Sequence, residues 1–300
     1  MDLGKVAQLF VEDEAIEEIY SVGRIHNTFL IDQPVNSYYI LRSEIDEKKT
    51  CIARLTRSNT LIPIGRRKDK IQGLHPKDSK QAAFLDSLVT QDIQLSVGIG
   101  PAGTGKSLLA MAYAIQQFQD HQKKIVLAKP ATWVGAAKAF GPVPGSVSEK
   151  LAPFMDSYKI VLKKILGEQS GKYIDMLFEK GEITFVPIEY MRGCTYENCT
   201  LIADETQNLS WHELNTIVSR VGENSKLILL GDLNQIDVKL HPQDTGLYQL
   251  VNTKAFSASE LSSVVFLTET YRSRIAQLAL EADQEIKNER GKSSNVSFHS

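Results

Sequence analysis

The spacing of apolar residues changes character twice along the chain. Residues 1–20 read as an acidic amphipathic helix or arm. From Thr28 to Ile64 come short β-rich runs, Thr28–Ile31, Ser37–Leu41, Thr50–Leu55 and Thr60–Ile64, divided by polar turn-forming stretches. That spacing predicts a small antiparallel β subdomain. Gly65 to Lys80 reads as a basic connector, and Ser79 to Val89 has helical periodicity. From Ile93 onward, continuous apolar runs alternate with helical ones: Leu95–Ile99, Ile125–Ala128, Ile183–Pro187, Thr200–Ala203, Leu227–Leu230 and Val264–Leu267. Runs that are apolar on both faces belong to a parallel sheet covered by helices, so the expected class is α/β with a mainly parallel sheet. The longer excursion from Thr132 to Gly181 holds a rigid turn, Gly141-Pro-Val-Pro-Gly145, and capping-box spacing at Ser146 to Glu149. The expected division is an N-terminal arm and β subdomain over 1–75, a nucleotide-binding domain over 76–290, and a disordered polar tail over 291–300.

With 300 residues and 42% hydrophobic content, the chain can build a large core. No stretch reaches the roughly 18 apolar residues of a membrane span, and Met1-Asp-Leu-Gly-Lys-Val lacks the order of a signal peptide. A soluble cytoplasmic protein without membrane attachment is expected. Cys51, Cys194 and Cys199 are odd in number and wrongly spaced for zinc, which predicts reduced structural thiols. The net charge of −2 hides an asymmetry: residues 1–47 hold ten acids against three bases, and residues 48–80 hold ten bases against two acids. The basic block suits a polyphosphate backbone. It would equally suit a solvated hairpin face paired with the acidic block, and the sequence leaves both open.

The candidate chemistry centres on Gly100-Pro101-Ala102-Gly103-Thr104-Gly105-Lys106-Ser107, placed between a strand and a helix that begins near Leu108. This fits the phosphate-loop pattern in its required context. Backbone N–H groups of such a loop curl around phosphate oxygens, the helix N-terminus adds partial positive charge, Lys106 reaches the β- and γ-phosphates, and Ser107 ligates Mg²⁺. Downstream, Cys199 to Ala203 runs into Asp204-Glu205. At a strand end beside a phosphate loop, the first acid would hold the metal and the second would orient or deprotonate the attacking water. Leu227 to Leu230 ends in Gly231-Asp-Leu-Asn-Gln235, where Gln235 can contact both water and γ-phosphate, or Asp232 can simply cap a turn. Arg272, after the last strand, has the chemistry of an arginine finger.

Taken together, the phosphate loop, Lys129-Pro130, Pro144-Gly145, Tyr190-Met-Arg192-Gly-Cys194-Thr195, Ile202 to Asn208 and Gly231 to Asp237 resemble the ordered motifs of the PhoH-like (phosphate-starvation-inducible) ATPases. The match spans about 71–287. Lys129 stands where the family usually has Arg, and Cys194-Thr195 departs from its usual Arg-Thr. The resemblance implies a single RecA-like P-loop NTPase domain related to superfamily 1 helicases. It also implies that Gln81, in Pro76-Lys-Asp-Ser-Lys-Gln81, reads the adenine edge and that Arg272, in Thr270-Tyr-Arg-Ser273, meets the γ-phosphate. Residues 15–75 resemble the β connector of PIN–PhoH fusions without the PIN nuclease itself, so a separate nuclease partner is a further expectation.

The function expected is a Mg²⁺-dependent ATP hydrolase acting on RNA or single-stranded DNA. With one domain, the pocket would be closed by a neighbouring subunit in a homo-oligomeric, hexameric ring, Arg192 or Arg272 facing the next protomer's nucleotide. Tyr38, Tyr39, Trp133 and Tyr190 offer stacking faces, although each also suits a core or interface. Two alternatives remain: a nucleotide-switched assembly or recruitment module, and a P-loop kinase, which would have little use for Glu205 and Gln235.

Overall fold

The computed structural model describes residues 4–28, 33–65, 71–130, 147–236 and 240–271 and positions 275, 278 and 282, with the backbone alone over 147–154. The N-terminal part consists of β1 (Ala7–Val11), α1 (Asp13–Ser21), β2 (Ile25–His26), β3 (Tyr38–Ser43), β4 (Thr50–Leu55) and β5 (Thr60–Pro63), with strands in the order β1-β3-β4-β5-β2. Then follow α2 (Ser79–Val89), β6 (Leu95–Ile99), α3 (Lys106–His121), β7 (Lys124–Lys129), α4 (Val147–Leu166), α5 (Gly171–Glu179), β8 (Ile183–Pro187), β9 (Cys199–Ala203), α6 (Trp211–Val218), β10 (Lys226–Gly231), α7 (Gly246–Val251), α8 (Lys254–Ser257) and β11 (Ser262–Phe266).

The second sheet has the order β11-β6-β10-β9-β7-β8 and every pairing in it is parallel. Successive residues of its strands feed two different cores. Ile125, Leu127, Ile202, Ile228 and Leu230 pack against α2, α3, α4 and α5. Val126, Ala128, Leu201, Leu227 and Leu229 pack against α6, α7 and α8. Burial on both faces explains why these strands read as unbroken apolar runs rather than alternating ones. The α/β class and mainly parallel sheet are as expected. The order also sets the chemistry: β6, β10 and β9 are neighbours, so the segments leaving their carboxyl ends converge.

Two expectations at the N-terminus need correcting. Residues 1–20 do not form one helix or arm, because Ala7–Val11 is a strand. Val11 is buried while Phe10 is 58% exposed, and that outward Phe hides the two-residue alternation in the sequence. The small sheet is also not wholly antiparallel, since β1 pairs in parallel with β3 while β3, β4, β5 and β2 pair antiparallel. Of the expected strand Thr28–Ile31, residues 29–31 lie outside the described residues, as do the 141–145 turn, Ser146 of the capping-box segment and the tail from 291. Ile16 and Ile19 of α1 are fully buried on this sheet, contributing roughly 1.5–3 kcal/mol each.

Part of the basic block is neutralised within the fold. Lys49 pairs with Asp13 (3.0 Å) and Glu17 (2.7 Å) of the acidic helix. Arg57 pairs with Glu260 and Lys80 with Glu269; Arg66, Arg67, Lys68 and Lys70 lie outside the described residues. Arg54 and the Tyr38 hydroxyl both donate to Asp86 Oδ2 on α2, at 2.8 and 3.0 Å. Arg54 also donates to Asn36, whose amide in turn donates to the carbonyls of Glu260 and Ser262. These bonds fasten the small sheet to α2 and β11. Helix α2 begins at Asp78, whose carboxylate accepts from the backbone N–H of Lys80 and Gln81. At its other end, buried Lys226 donates to the carbonyls of Ser87, Leu88 and Thr90, filling acceptors that a helix end leaves open.

Cys51 and Cys199 are buried, Cys194 is exposed, and none of the three forms a disulfide among the described residues. Tyr38 and Tyr39 are core residues at 2% and 4% exposure, so neither offers a stacking face. Tyr190 is 64% exposed, and Trp133 lies outside the described residues. Among the described residues no helix is long and apolar enough to cross a membrane.

Candidate active site

The loop from Gly100 to Ser107 leaves β6 and enters α3. Gly100 is required by crowding: a Cβ there would lie 1.9 Å from the Leu267 carbonyl oxygen. Gly105, with φ of 93°, is the N-cap of α3, a conformation favouring glycine. Three backbone bonds strap the loop down: Gly100 N–H to Gly231 O (3.0 Å), Leu267 N–H to Ile99 O (2.8 Å) and Tyr271 N–H to Gly103 O (3.0 Å). Lys106 is buried, and its ammonium donates to the carbonyls of Gly100 and, at 2.9 Å, of Pro101. Thr104 is buried too, its hydroxyl donating to Pro101 O.

The end of β9 reaches this loop directly. Ser107 Oγ donates to Asp204 Oδ2 at 3.2 Å. The pair is a hard-oxygen donor set, with a hydroxyl and a carboxylate side by side, and it fits Mg²⁺, which takes one or two protein oxygens and fills its remaining positions with water and phosphate. Burial, and after it the Glu205 carboxylate, lifts Asp204 above the usual carboxylate range, against the pull of Lys129 and Lys106. Glu205 adopts the left-handed conformation (φ 58°, ψ 32°), a strained backbone of the kind that clusters at functional sites. Its N–H donates to Asp204 Oδ1 at 3.0 Å, and Lys129 lies 3.6 Å from its Oε1.

Sequence reasoning assigned no role to Gln207, although it stands within the Ile202 to Asn208 motif. It is fully buried. Its amide nitrogen donates to Glu205 Oε2 (2.7 Å) and to the Gln235 carbonyl (3.1 Å), and its amide oxygen accepts from Asp232 N–H (3.0 Å). One side chain thus joins the β9 and β10 ends. Asp232 does cap its turn, accepting from Asn234 N–H, while its second oxygen is buried and unpartnered among the described residues.

Lys106, Ser107, Asp204, Glu205 and Asp232 line a cavity of about 380 Å³, together with Ala102, Leu108 and Gln235, a volume within the range of small-molecule sites. Gln81, on the first turn of α2, is buried against the loop; its amide donates to Thr104 O (2.8 Å) and accepts from Lys77 N–H (2.9 Å). Lys164, His75, Lys77 and Tyr271 line the cavity as well and were not anticipated. Tyr271 donates to Asp78 at 2.7 Å, and the Lys77 ammonium sits 4.6 Å from its ring centre. Arg272 lies outside the described residues. Arg192 is away from the cavity, its guanidinium 3.2 Å from His212.

Residues 73–283 match the family described as PhoH-like protein. The chain is 34% identical to Protein PhoH2 of Bacillus subtilis (strain 168) over 254 residues, which is 82% of this chain and 56% of that protein. It is 35% identical to the PhoH-like protein of the same organism over 170 residues, 56% of this chain and 51% of that protein. The chain therefore spans about half the length of these curated relatives. Among solved structures, the Pif1 helicase from Candida albicans aligns with 68% of this chain and 42% of its own at 18% identity, with a TM-score of 0.35.

Proposed function

The chain belongs to the PhoH-like protein family, and from that footing we propose that it is a Mg²⁺-dependent ATP hydrolase that works on single-stranded nucleic acid. The observation carrying this reading is the 3.2 Å contact between Ser107 and Asp204, with Lys106 and Glu205 around the same cavity.

In the proposed cycle the triphosphate lies on the loop, and the Lys106 ammonium exchanges the Gly100 and Pro101 carbonyls for phosphate oxygens. Backbone N–H groups at the start of α3 add partial positive charge. Ser107 and Asp204 would hold Mg²⁺, which would supply positive charge beside the phosphates. Glu205 takes a proton from water as the water oxygen bonds to the γ-phosphorus. The bond from that phosphorus to the bridging oxygen breaks, and ADP leaves with the electron pair. Gln207 fixes the carboxylate of Glu205 and the backbone of Gln235 in one frame, and the Gln235 amide would contact water and γ-phosphate together. Gln81 keeps one N–H and one lone pair for the adenine edge beyond its present bonds. Arg272 or Arg192 would come from a neighbouring subunit of a hexameric ring.

Phosphate release measured with and without single-stranded RNA and DNA, alongside particle mass, tests the reading. Turnover stimulated by a strand and abolished in Glu205→Gln is expected; turnover unaffected by that substitution would remove the proposed base. Phosphate release without any acceptor would also set a kinase aside.

A further inference from the structure

Helix α4 carries three lysines among its described side chains, Lys159, Lys163 and Lys164, and they go to three different places. Lys159 pairs with Asp175 of α5 at 2.6 Å, its ammonium 5.7 Å from the Phe178 ring centre. Lys163 runs beside the start of α5, where a Cβ on Gly171 would lie 3.7 Å from its Cε. Lys164 lines the nucleotide cavity instead. It is exposed and has no ion pair among the described residues, nearby Glu168 included. The dipole of α4 accounts for bases in its last turn, but not for one of them reaching the cavity.

The side from which Lys164 arrives decides which part of the cavity it serves. On the face of the parallel sheet that these helices share, α2 packs over β11 and β6, α3 over β10, β9 and β7, and α5 over β8, with α4 between α3 and α5. Gln81 and Lys77, at the start of α2, therefore stand on one side of α3 and Lys164 on the other. The second side is the one where β9 delivers Asp204 and Glu205 and β7 delivers Lys129. Both carboxylates there already have donors: Asp204 accepts from Ser107 and the Glu205 N–H, and Glu205 accepts from Gln207 with Lys129 3.6 Å away. The second oxygen of Asp232 is closed to solvent. The Lys164 ammonium is thus not needed by the acids of the wall.

We propose that Lys164 is a phosphate-binding residue, its ammonium holding the polyphosphate of the nucleotide from the α4 side, across α3 from the base. The inference rests on the nucleotide-hydrolase function proposed above and deepens it, adding a contact that comes from the excursion between β7 and β8 rather than from the phosphate loop. A lysine brings three donors and a point charge on a flexible stem, which suits a phosphate group approached from an exposed position.

The test is isothermal titration calorimetry of ATP with Mg²⁺, and of adenosine, on the full chain and its Lys164→Met, Lys164→Arg and Lys163→Met variants, with the melting temperature of each free protein as the check on folding. Lys164→Met is expected to weaken ATP binding about tenfold. Adenosine binding and Tm should not change, because adenosine carries no phosphate and the side chain is exposed. Lys164→Arg should keep most of the ATP affinity, and Lys163→Met, whose chain runs along α5, all of it. ATP affinity unchanged in Lys164→Met overturns the assignment while leaving the hydrolase function intact. Equal losses for ATP and adenosine would mark a disturbed pocket and overturn it too, as would an equal loss of ATP binding in Lys163→Met, which would mark a general effect of charge at that helix end. A wild type that binds no ATP overturns both the assignment and the function it rests on.

Discussion

Gln207 donates to Glu205 Oε2 at 2.7 Å from a position fully closed to solvent. The same amide nitrogen reaches the Gln235 carbonyl, so the two segments flanking the cavity share one clamp. Replacing Gln207 by Leu should lower kcat about 10–100-fold, the usual cost of losing a residue that orients an active group. The nucleotide dissociation constant should stay nearly unchanged. Phosphate release and nucleotide titration on the same preparation separate the two effects.

The Lys106 ammonium donates to the loop's own carbonyls at Gly100 and Pro101, where a phosphate would meet it. Lys106→Ala should therefore lose the thermal shift that ATP gives the wild type, a stabilisation of about 2.7 kcal/mol when nucleotide stands at 100 times its dissociation constant. Glu205→Gln should keep that shift and stop turnover. Thermal melts with and without ATP, paired with a turnover assay, make the comparison.

Burial and the neighbouring Glu205 carboxylate make the charged form of Asp204 costly. Asp204→Asn should raise Tm by roughly 1.5–2 °C for each kcal/mol recovered, from an unfolding entropy of about 2.1 cal/mol/K per residue over a chain of this length. It should also abolish Mg²⁺-dependent turnover. A melting temperature at or below that of the wild type would contradict the cost assigned to the charge.

Arg54 and Asp86 form a partly buried pair, 12% and 18% exposed. Asp86→Ala leaves the guanidinium without its acid and should destabilise by about 3 kcal/mol, measured by urea unfolding. Burial raises the Asp86 carboxyl above its ordinary value, against the pull of Arg54. The folded protein thus binds that proton more tightly than the unfolded chain does. In the window above pH 3.8 this group makes stability fall as pH rises, until the folded carboxyl too has ionised. Asp86→Asn should flatten that part of the profile.

The parallel sheet was legible because its strands are buried on both sides, which leaves a run such as Leu227-Ile-Leu-Leu230 with no polar interruption. The phosphate loop was legible because glycine spacing and helix start are local properties. Strand Ala7–Val11 was not, since it faces solvent through Phe10 and pairs with β3 across some thirty residues of chain, and neither fact leaves a local trace. The clamp by Gln207 and the arrival of Lys77, Lys164 and Tyr271 at the cavity depend on separate elements folding together. The basic block left two readings open for a related reason: counting charges cannot tell Lys49, answered by α1, from Lys48, which has no ion pair among the described residues.

Helix α2 is gripped at three heights: near its start by the phosphate loop through Gln81, midway by the small sheet through Asp86, and at its end by the strand residue Lys226. Over about 16 Å of stiff rod, none of these attachments can shift without tugging the other two. A tilt begun where the base would sit must be felt as strain in a sheet that never touches the triphosphate, much as a tiller turns a rudder the helmsman does not hold.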